Sequence, residues 1–89
     1  MIRQEVEIVN VLGLHARAAA RLVQVATRFR SQILVAHDGR TANGKSILGL
    51  LTLAAAEGTV LRLTAEGGDA GEALAELEAL VRNRFGEES

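Results

Sequence analysis

The feature that most constrains the fold of this chain is a repeated change in the spacing of its apolar residues. From Ile2 to Val9 apolar and polar residues alternate, which is the pattern of a strand with one buried face. From Ala16 to Phe29 apolar residues recur at intervals of three and four, as along one face of a helix. The strand pattern returns at Gln32–His37 and at Val60–Glu66. The chain therefore has to pack a sheet against helices.

Two shorter elements lie between the strand at Gln32–His37 and the strand at Val60–Glu66. Asp38-Gly39 is a strong signal for a two-residue hairpin turn, which sends the chain back as a short strand at Arg40–Ala42. Ser46 is a favourable N-cap for a short helix at Ile47–Leu53 that is apolar on almost every side. Such a helix is either deeply buried or presents apolar surface to a partner.

The last helix follows a Gly67-Gly68 turn. Asp69, with Glu72 three residues later, predicts a capping box at its start, and an apolar stripe continues to Val81. The resulting order is β-α-β-β-α-β-α. We therefore expect an α+β fold in which strands form one layer and helices the other, as a two-layer sandwich.

Length and charge limit the class of protein. Eighty-nine residues allow one domain, covering residues 1–89. With 10 basic and 11 acidic residues the net charge is −1, which argues against a general nucleic-acid binder. The absence of Cys excludes disulfides and thiolate metal sites. No apolar run approaches the roughly 20 residues of a membrane span. We expect a cytoplasmic monomer with no metal, no cofactor and no membrane insertion.

His15 is the strongest candidate for chemistry, because it lies in a loop just before a helix and Arg17 follows in the first turn. The free backbone N–H groups near Ala16 and Arg17, the helix dipole and the guanidinium together make an anion site. A neutral imidazole there is a nucleophile that needs no general base, and its product would be a labile phosphohistidine. The alternative is a polar capping histidine beside a solvated arginine.

Two other features have plainer interpretations. His37 lies at the hairpin beside Asp38-Gly39 with no constellation of basic or acidic residues around it, so we expect an exposed turn residue. Residues 39–46 fit the P-loop pattern G-x-x-x-x-G-K-[ST], with Lys45 and Ser46 at its end. The predicted hairpin uses the first glycine of that pattern, and the chain is short for a P-loop enzyme. A small nucleotide-binding protein and a non-catalytic interaction module remain as alternatives.

Two segments resemble the signatures of a known family. Asn10–Arg17 (NVLGLHAR) resembles the active-site signature of the HPr family, the histidine-containing phosphocarriers of the bacterial phosphoenolpyruvate-dependent phosphotransferase system. Asn43–Leu51 (NGKSILGLL) is similar to the family's second signature, around a regulatory serine. The resemblance implies an open-faced sandwich with an antiparallel sheet in the order 1-4-2-3 and three helices on one face.

The resemblance also implies roles for individual residues. His15 matches the residue that accepts a phosphoryl group on Nδ1 from enzyme I and passes it to the A domains of enzymes II, and Arg17 matches its phosphate-binding arginine. Ser46 matches the serine modified by HPr kinase/phosphorylase in many bacteria. Partner docking falls on Ala20, Gln24, Ile47, Leu48 and Leu51. The chain would be a carrier and not an enzyme, with a nitrogen-related or regulatory family member as the alternative.

One position departs from the family pattern. The family usually has Pro directly after the arginine, whereas this chain has Ala18. Pro in the first helical turn fixes φ without losing a hydrogen bond, so Ala18 is expected to leave the start of the helix more flexible.

Overall fold

A computed structural model describes all 89 residues. The elements follow the predicted order, and a short 3₁₀ turn follows the last helix. The strands are β1 (Ile2–Glu7), β2 (Gln32–His37), β3 (Arg40–Asn43) and β4 (Val60–Glu66). The helices are α1 (Ala16–Ala26), α2 (Ile47–Leu51) and α3 (Ala70–Arg82), and the 3₁₀ turn is Arg84–Gly86.

The four strands form one antiparallel sheet in the order β1-β4-β2-β3. The central strand β4 pairs with β1 on one side and with β2 on the other, and the β2–β3 hairpin completes the sheet. The helices pack on one face of it, so the predicted open-faced α+β sandwich and its strand order are confirmed.

A single cluster of 23 buried apolar residues fills the space between the sheet and the helices. Alternate residues of β4 point into this core, and Leu61, Leu63 and Ala65 are fully buried, as the strand pattern predicts. Phe85 is the largest fully buried side chain, although it lies only four residues from the last position of the sequence. The core therefore reaches into the segment that follows α3.

The structure corrects several predicted boundaries and one predicted contact. β1 ends at Glu7 and not at Val9, and β3 ends at Asn43 and not at Ala42. The helix α1 ends at Ala26 and not at Phe29, and α2 ends at Leu51 and not at Leu53. The capping box at the start of α3 does not form, because the Asp69 side chain makes no cap hydrogen bond. Its carboxylate instead accepts hydrogen bonds from the backbone N–H groups of Arg30 and Ser31 and from the Ser31 hydroxyl. Asp69 thus ties the start of α3 to the segment before β2.

The hairpin prediction is confirmed and the P-loop alternative is wrong. Asp38 and Gly39 have φ values of 52° and 78°, as a turn with two left-handed residues requires. The residues after them extend as β3 and do not form a phosphate-binding loop. Lys45 donates through Nζ to the carbonyl of Phe29 at 2.7 Å, so its ammonium group is committed to the backbone after α1.

Candidate functional site

The loop before α1 is pressed against the segment that follows α2, and this contact fixes the position of His15. The Leu14 N–H donates to the carbonyl of Ala55 at 2.9 Å. Gly13 has a φ of +68°, and a Cβ at that position would lie 2.5 Å from the same carbonyl oxygen. Only glycine allows this approach without strain, and the chain then enters α1 with His15 as its N-cap residue.

The two ring nitrogens of His15 have different partners. Nδ1 accepts a hydrogen bond from the backbone N–H of Arg17 at 3.3 Å, and Nε2 contacts the carboxylate of Glu87. A backbone N–H can only donate and an ionised carboxylate can only accept, so these partners assign the proton of the neutral ring to Nε2. Nδ1 keeps its lone pair at the start of the helix. The side chain is 27% exposed.

The surroundings of Nδ1 suit an anion. Ala16 and Arg17 occupy the first turn of α1, where backbone N–H groups have no partner within the helix. No acidic residue lies in that turn. The Arg17 side chain is exposed and takes part in none of the three ion pairs of the chain, so its guanidinium is available to an incoming phosphoryl group.

Glu87 and Asn10 complete the site; the sequence analysis missed Glu87 and assigned no role to Asn10, although Asn10 begins the active-site signature. The Glu87 carboxylate accepts from the Asn10 side-chain amide at 2.9 Å as well as contacting His15. Burial, which by itself raises the pKa of Glu87, is outweighed by hydrogen bonds from Asn10 and His15 and by the positive charge of Arg17 and of the His15 ring when it is protonated, so the pKa lies below its usual value. Glu87-Glu88-Ser89 has the composition of a solvated tail. The one available signal was the aromatic Phe85 just before it.

Ser46 and the predicted docking residues lie on α1 and α2, which pack against each other. The Ser46 hydroxyl oxygen accepts from the Gly49 N–H at 3.0 Å, so the predicted N-cap is confirmed. On α2 the Leu48 side chain is 78% exposed and Ile47 is exposed as well. The other predicted docking residues are exposed or half-buried, namely Ala20, Gln24 and Leu51.

The remaining candidate features lie away from His15. The prediction of an exposed turn residue at His37 is wrong, because His37 is half-buried at the end of β2. It borders a shallow pocket around the hairpin on the sheet face without helices. That pocket contains none of the predicted site residues. No group of three or more His, Asp or Glu side chains is placed to hold a metal ion. None of the helices has the length and apolar character needed to cross a bilayer.

The fold and site define a class of small α+β domains that present one unprotonated histidine nitrogen at a helix start. The chain belongs to the PTS-HPr family, since the sequence model of that family, described as "PTS HPr component phosphorylation site", matches residues 2–83. A phosphocarrier protein HPr of Neisseria meningitidis is 47% identical over 87 residues, 98% of each chain. This family membership makes the chain a phosphocarrier and not an enzyme.

Solved structures agree with this assignment. HPr of Thermoanaerobacter tengcongensis has a TM-score of 0.95 and 46% identity over the whole of both chains. Crh, a catabolite repression protein of Bacillus subtilis, has a TM-score of 0.76 and 45% identity over 94% of this chain and 97% of its own, and its crystal structure shows a domain-swapped dimer. The two signatures in the sequence therefore identified the family correctly.

Proposed function

We propose that this protein accepts a phosphoryl group on Nδ1 of His15 from enzyme I of a phosphotransferase system and donates it to the A domains of enzymes II in the cytoplasm. The observation that carries the proposal is the state of the His15 ring. Its Nδ1 lone pair is directed at the start of α1, where it accepts one long hydrogen bond from the Arg17 N–H.

The geometry supports a simple transfer step. When the Nδ1 lone pair attacks phosphorus, the bond between phosphorus and the donor breaks and its electron pair stays on the donor. The Arg17 N–H that now donates to Nδ1 is released and turns to a phosphoryl oxygen. The free N–H of Ala16 and the Arg17 guanidinium supply further positive charge, so the group is held without a metal ion bound by the carrier.

Partner docking is proposed for the apolar surface of α2 and the adjoining side of α1. Leu48 and Ile47 are adjacent large apolar side chains left in contact with water on this five-residue helix, and adjacent apolar exposure can mark a partner surface. Because α2 packs against α1, we propose that a partner covering these side chains also contacts α1. We propose that enzyme I and the enzyme II A domains use this one surface in turn.

Ser46 is proposed as a regulatory site for an HPr kinase/phosphorylase. Phosphorylation adds a charge of about −1.5 to −2 at the edge of the docking surface, directly before Ile47 and Leu48. The added charge is compatible with the helix start but unfavourable for an apolar partner surface. We infer that it slows the phosphorylation of His15 by enzyme I.

The transfer function is tested with purified enzyme I and labelled phosphoenolpyruvate. The wild-type protein is expected to take up acid-labile, alkali-stable label, and His15→Ala is expected to take up none. His37→Ala is the matched control and should be labelled like the wild type. Label on His15→Ala, or no label on the wild type under conditions in which enzyme I labels another HPr, contradicts the proposal.

The same assay separates the sugar-related from the nitrogen-related alternative, because phosphorylated protein can be offered to enzyme II A domains of either type. We propose the sugar-related role and a monomer. The domain-swapped dimer of Crh makes the oligomeric state a necessary measurement, and light scattering at the assay concentration provides it.

A further inference from the structure

The segment after α3 is held firmly and is not a loose tail. Arg84 and Phe85 both adopt left-handed backbone conformations, with φ values of 56° and 53°, and Gly86 follows at 81°. Consecutive non-glycine residues in this region persist only when their surroundings impose it. Here the Phe85 side chain is fully buried, and the Arg21 guanidinium donates to the Phe85 carbonyl. These contacts turn the chain back towards the start of α1.

This turn delivers the Glu87 side chain to His15. The carboxylate is only 10% exposed, and its two oxygens have separate partners: one contacts His15 Nε2 and the other accepts from Asn10 Nδ2. Asn10 Nδ2 also donates to the Gly13 carbonyl at 2.9 Å, which fixes the amide relative to the loop that carries His15. The carboxylate is thus held at both oxygens in a partly dry environment.

The Asn10 side chain is present at a structural cost. It is fully buried, and its Oδ1 atom has no hydrogen-bond partner. A buried carbonyl oxygen without a donor is unfavourable, and an apolar residue of similar size would avoid that loss. What Asn10 provides is two donors, one for the His15 loop and one for Glu87. The contact with Glu87 reaches outside the segment matched by the family, which ends at residue 83.

We infer that Glu87, oriented by Asn10, is a positioning residue that keeps the ring proton of His15 on Nε2 and stabilises the positive charge that the ring acquires when Nδ1 is phosphorylated. The inference rests on the proposed function of His15. When Nδ1 forms its bond to phosphorus, the ring keeps the Nε2 proton and becomes a cation, whose charge the adjacent carboxylate offsets. On donation the bond to phosphorus breaks, its electrons return to Nδ1, and the ring leaves as neutral imidazole. No proton has to move in either direction, which resembles the part played by the carboxylate in a Ser-His-Asp triad.

The test uses potassium phosphoramidate as the phosphoryl donor, because it does not depend on enzyme I. Ammonia leaves as the donor's P–N bond breaks, and phosphorus NMR follows the growth of phosphohistidine. Relative to the wild type, we expect Glu87→Gln to react roughly threefold to tenfold more slowly and Glu87→Ala roughly ten- to hundredfold more slowly. Glu88→Gln is the matched control in the same segment and should react at the wild-type rate.

A second readout reports the positioning itself. In nitrogen-15 NMR spectra the Nε2 proton of His15 should give a resolved, slowly exchanging signal in the wild type and in Glu88→Gln, and this signal should be lost in Glu87→Ala. Unchanged rates in both Glu87 variants, or an unchanged Nε2–H signal, would overturn the inference. If enzyme I fails to phosphorylate the wild type but the Glu87 variants still show these losses, the proposed partner is wrong and the role of Glu87 stands.

Discussion

His15 Nε2 and the Glu87 carboxylate are in direct contact although 72 positions separate them in the sequence. The contact joins the loop before the first helix to the segment after the last one. It also leaves the other ring nitrogen, Nδ1, facing the N–H of Arg17. The reactive histidine is therefore oriented from both sides, by the helix that it caps and by a carboxylate from the opposite end of the sequence.

The buried Phe85 is expected to hold Glu87 in place. Phe85→Ala should lower the free energy of unfolding by about 3–5 kcal/mol, since it removes a fully buried aromatic side chain. Phe85→Leu is a milder change and should cost about 1.5 kcal/mol or less. Urea denaturation measures both. The Nε2–H signal of His15 should weaken in Phe85→Leu, and a strong, unchanged signal would show that Glu87 does not depend on this anchor.

The Ser46 hydroxyl is expected to stabilise α2 as its N-cap. Ser46→Ala removes the acceptor for the Gly49 N–H and should lower the free energy of unfolding by about 1 kcal/mol. Ser46→Asp retains an acceptor and places a negative charge at the helix start, so it should cost less than Ser46→Ala. Thermal or urea denaturation checks whether Ser46→Asp is more stable than Ser46→Ala. Equal stability of wild type and Ser46→Ala would contradict it.

Ser46→Asp is also expected to slow phosphorylation by enzyme I although its fold is intact. The carboxylate imitates part of the charge of phosphoserine beside the apolar docking surface. The readout is the initial rate of His15 labelling at several enzyme I concentrations. Thr52→Asp, at the other end of α2, is the control for added charge in the same region. Equal rates for the wild type and Ser46→Asp would contradict regulation at this position.

Leu48 is expected to contribute to docking and little to folding. Its side chain is 78% exposed, so Leu48→Ser should change the free energy of unfolding by no more than about 0.5 kcal/mol. The KM of enzyme I for this protein should rise about tenfold, which corresponds to ~1.4 kcal/mol of lost binding free energy. Val60→Ser is the control, since Val60 is 50% exposed but lies on the sheet. A similar KM for Leu48→Ser and Val60→Ser would place the docking surface elsewhere.

Asp69 is expected to make stability depend on pH in the acid range. The Ser31 hydroxyl, followed by the Arg30 N–H, lowers the pKa of Asp69 below its ordinary value of 3.8. A carboxyl whose pKa is lowered by folding adds stability above its ordinary pKa and loses it as the pH falls through the lower folded value. The wild type should therefore have a higher free energy of unfolding than Asp69→Asn at pH 7, and this difference should disappear below the folded pKa of Asp69. A difference that stays constant on acidification would contradict this role.

The pKa of Glu87 is also lowered, from its ordinary value of 4.5, so Glu87 is a second group whose contribution to stability is lost in acid. For this reason the Asp69 measurement compares wild type with Asp69→Asn at each pH, so that the contribution of Glu87 is present in both proteins. The same comparison with Glu87→Gln isolates the second group. The two differences should add, because Asp69 and Glu87 share no hydrogen-bond partner.

Features that depend on neighbouring residues could be predicted from the sequence. The alternation in β4, the Asp38-Gly39 turn and the Ser46 cap each arise from contacts within a few positions along the chain, so their signals are local. The start of α1 at His15 was predictable for the same reason. Asp69 shows the limit of this reasoning, because its spacing to Glu72 favoured a cap while its carboxylate found better donors at Arg30 and Ser31.

The sequence by itself determined which segments form the four strands and three helices, their order, and the histidine at the first helix start, because periodicity and capping act over a few residues. Only the tertiary structure decided which carboxylate meets His15. An acidic residue near a chain end has the same local pattern whether it faces water or a distant ring. Glu87 reaches His15 because the Phe85 side chain is buried in the core and the Arg21 guanidinium donates to the Phe85 carbonyl. Both are contacts between segments far apart in the sequence.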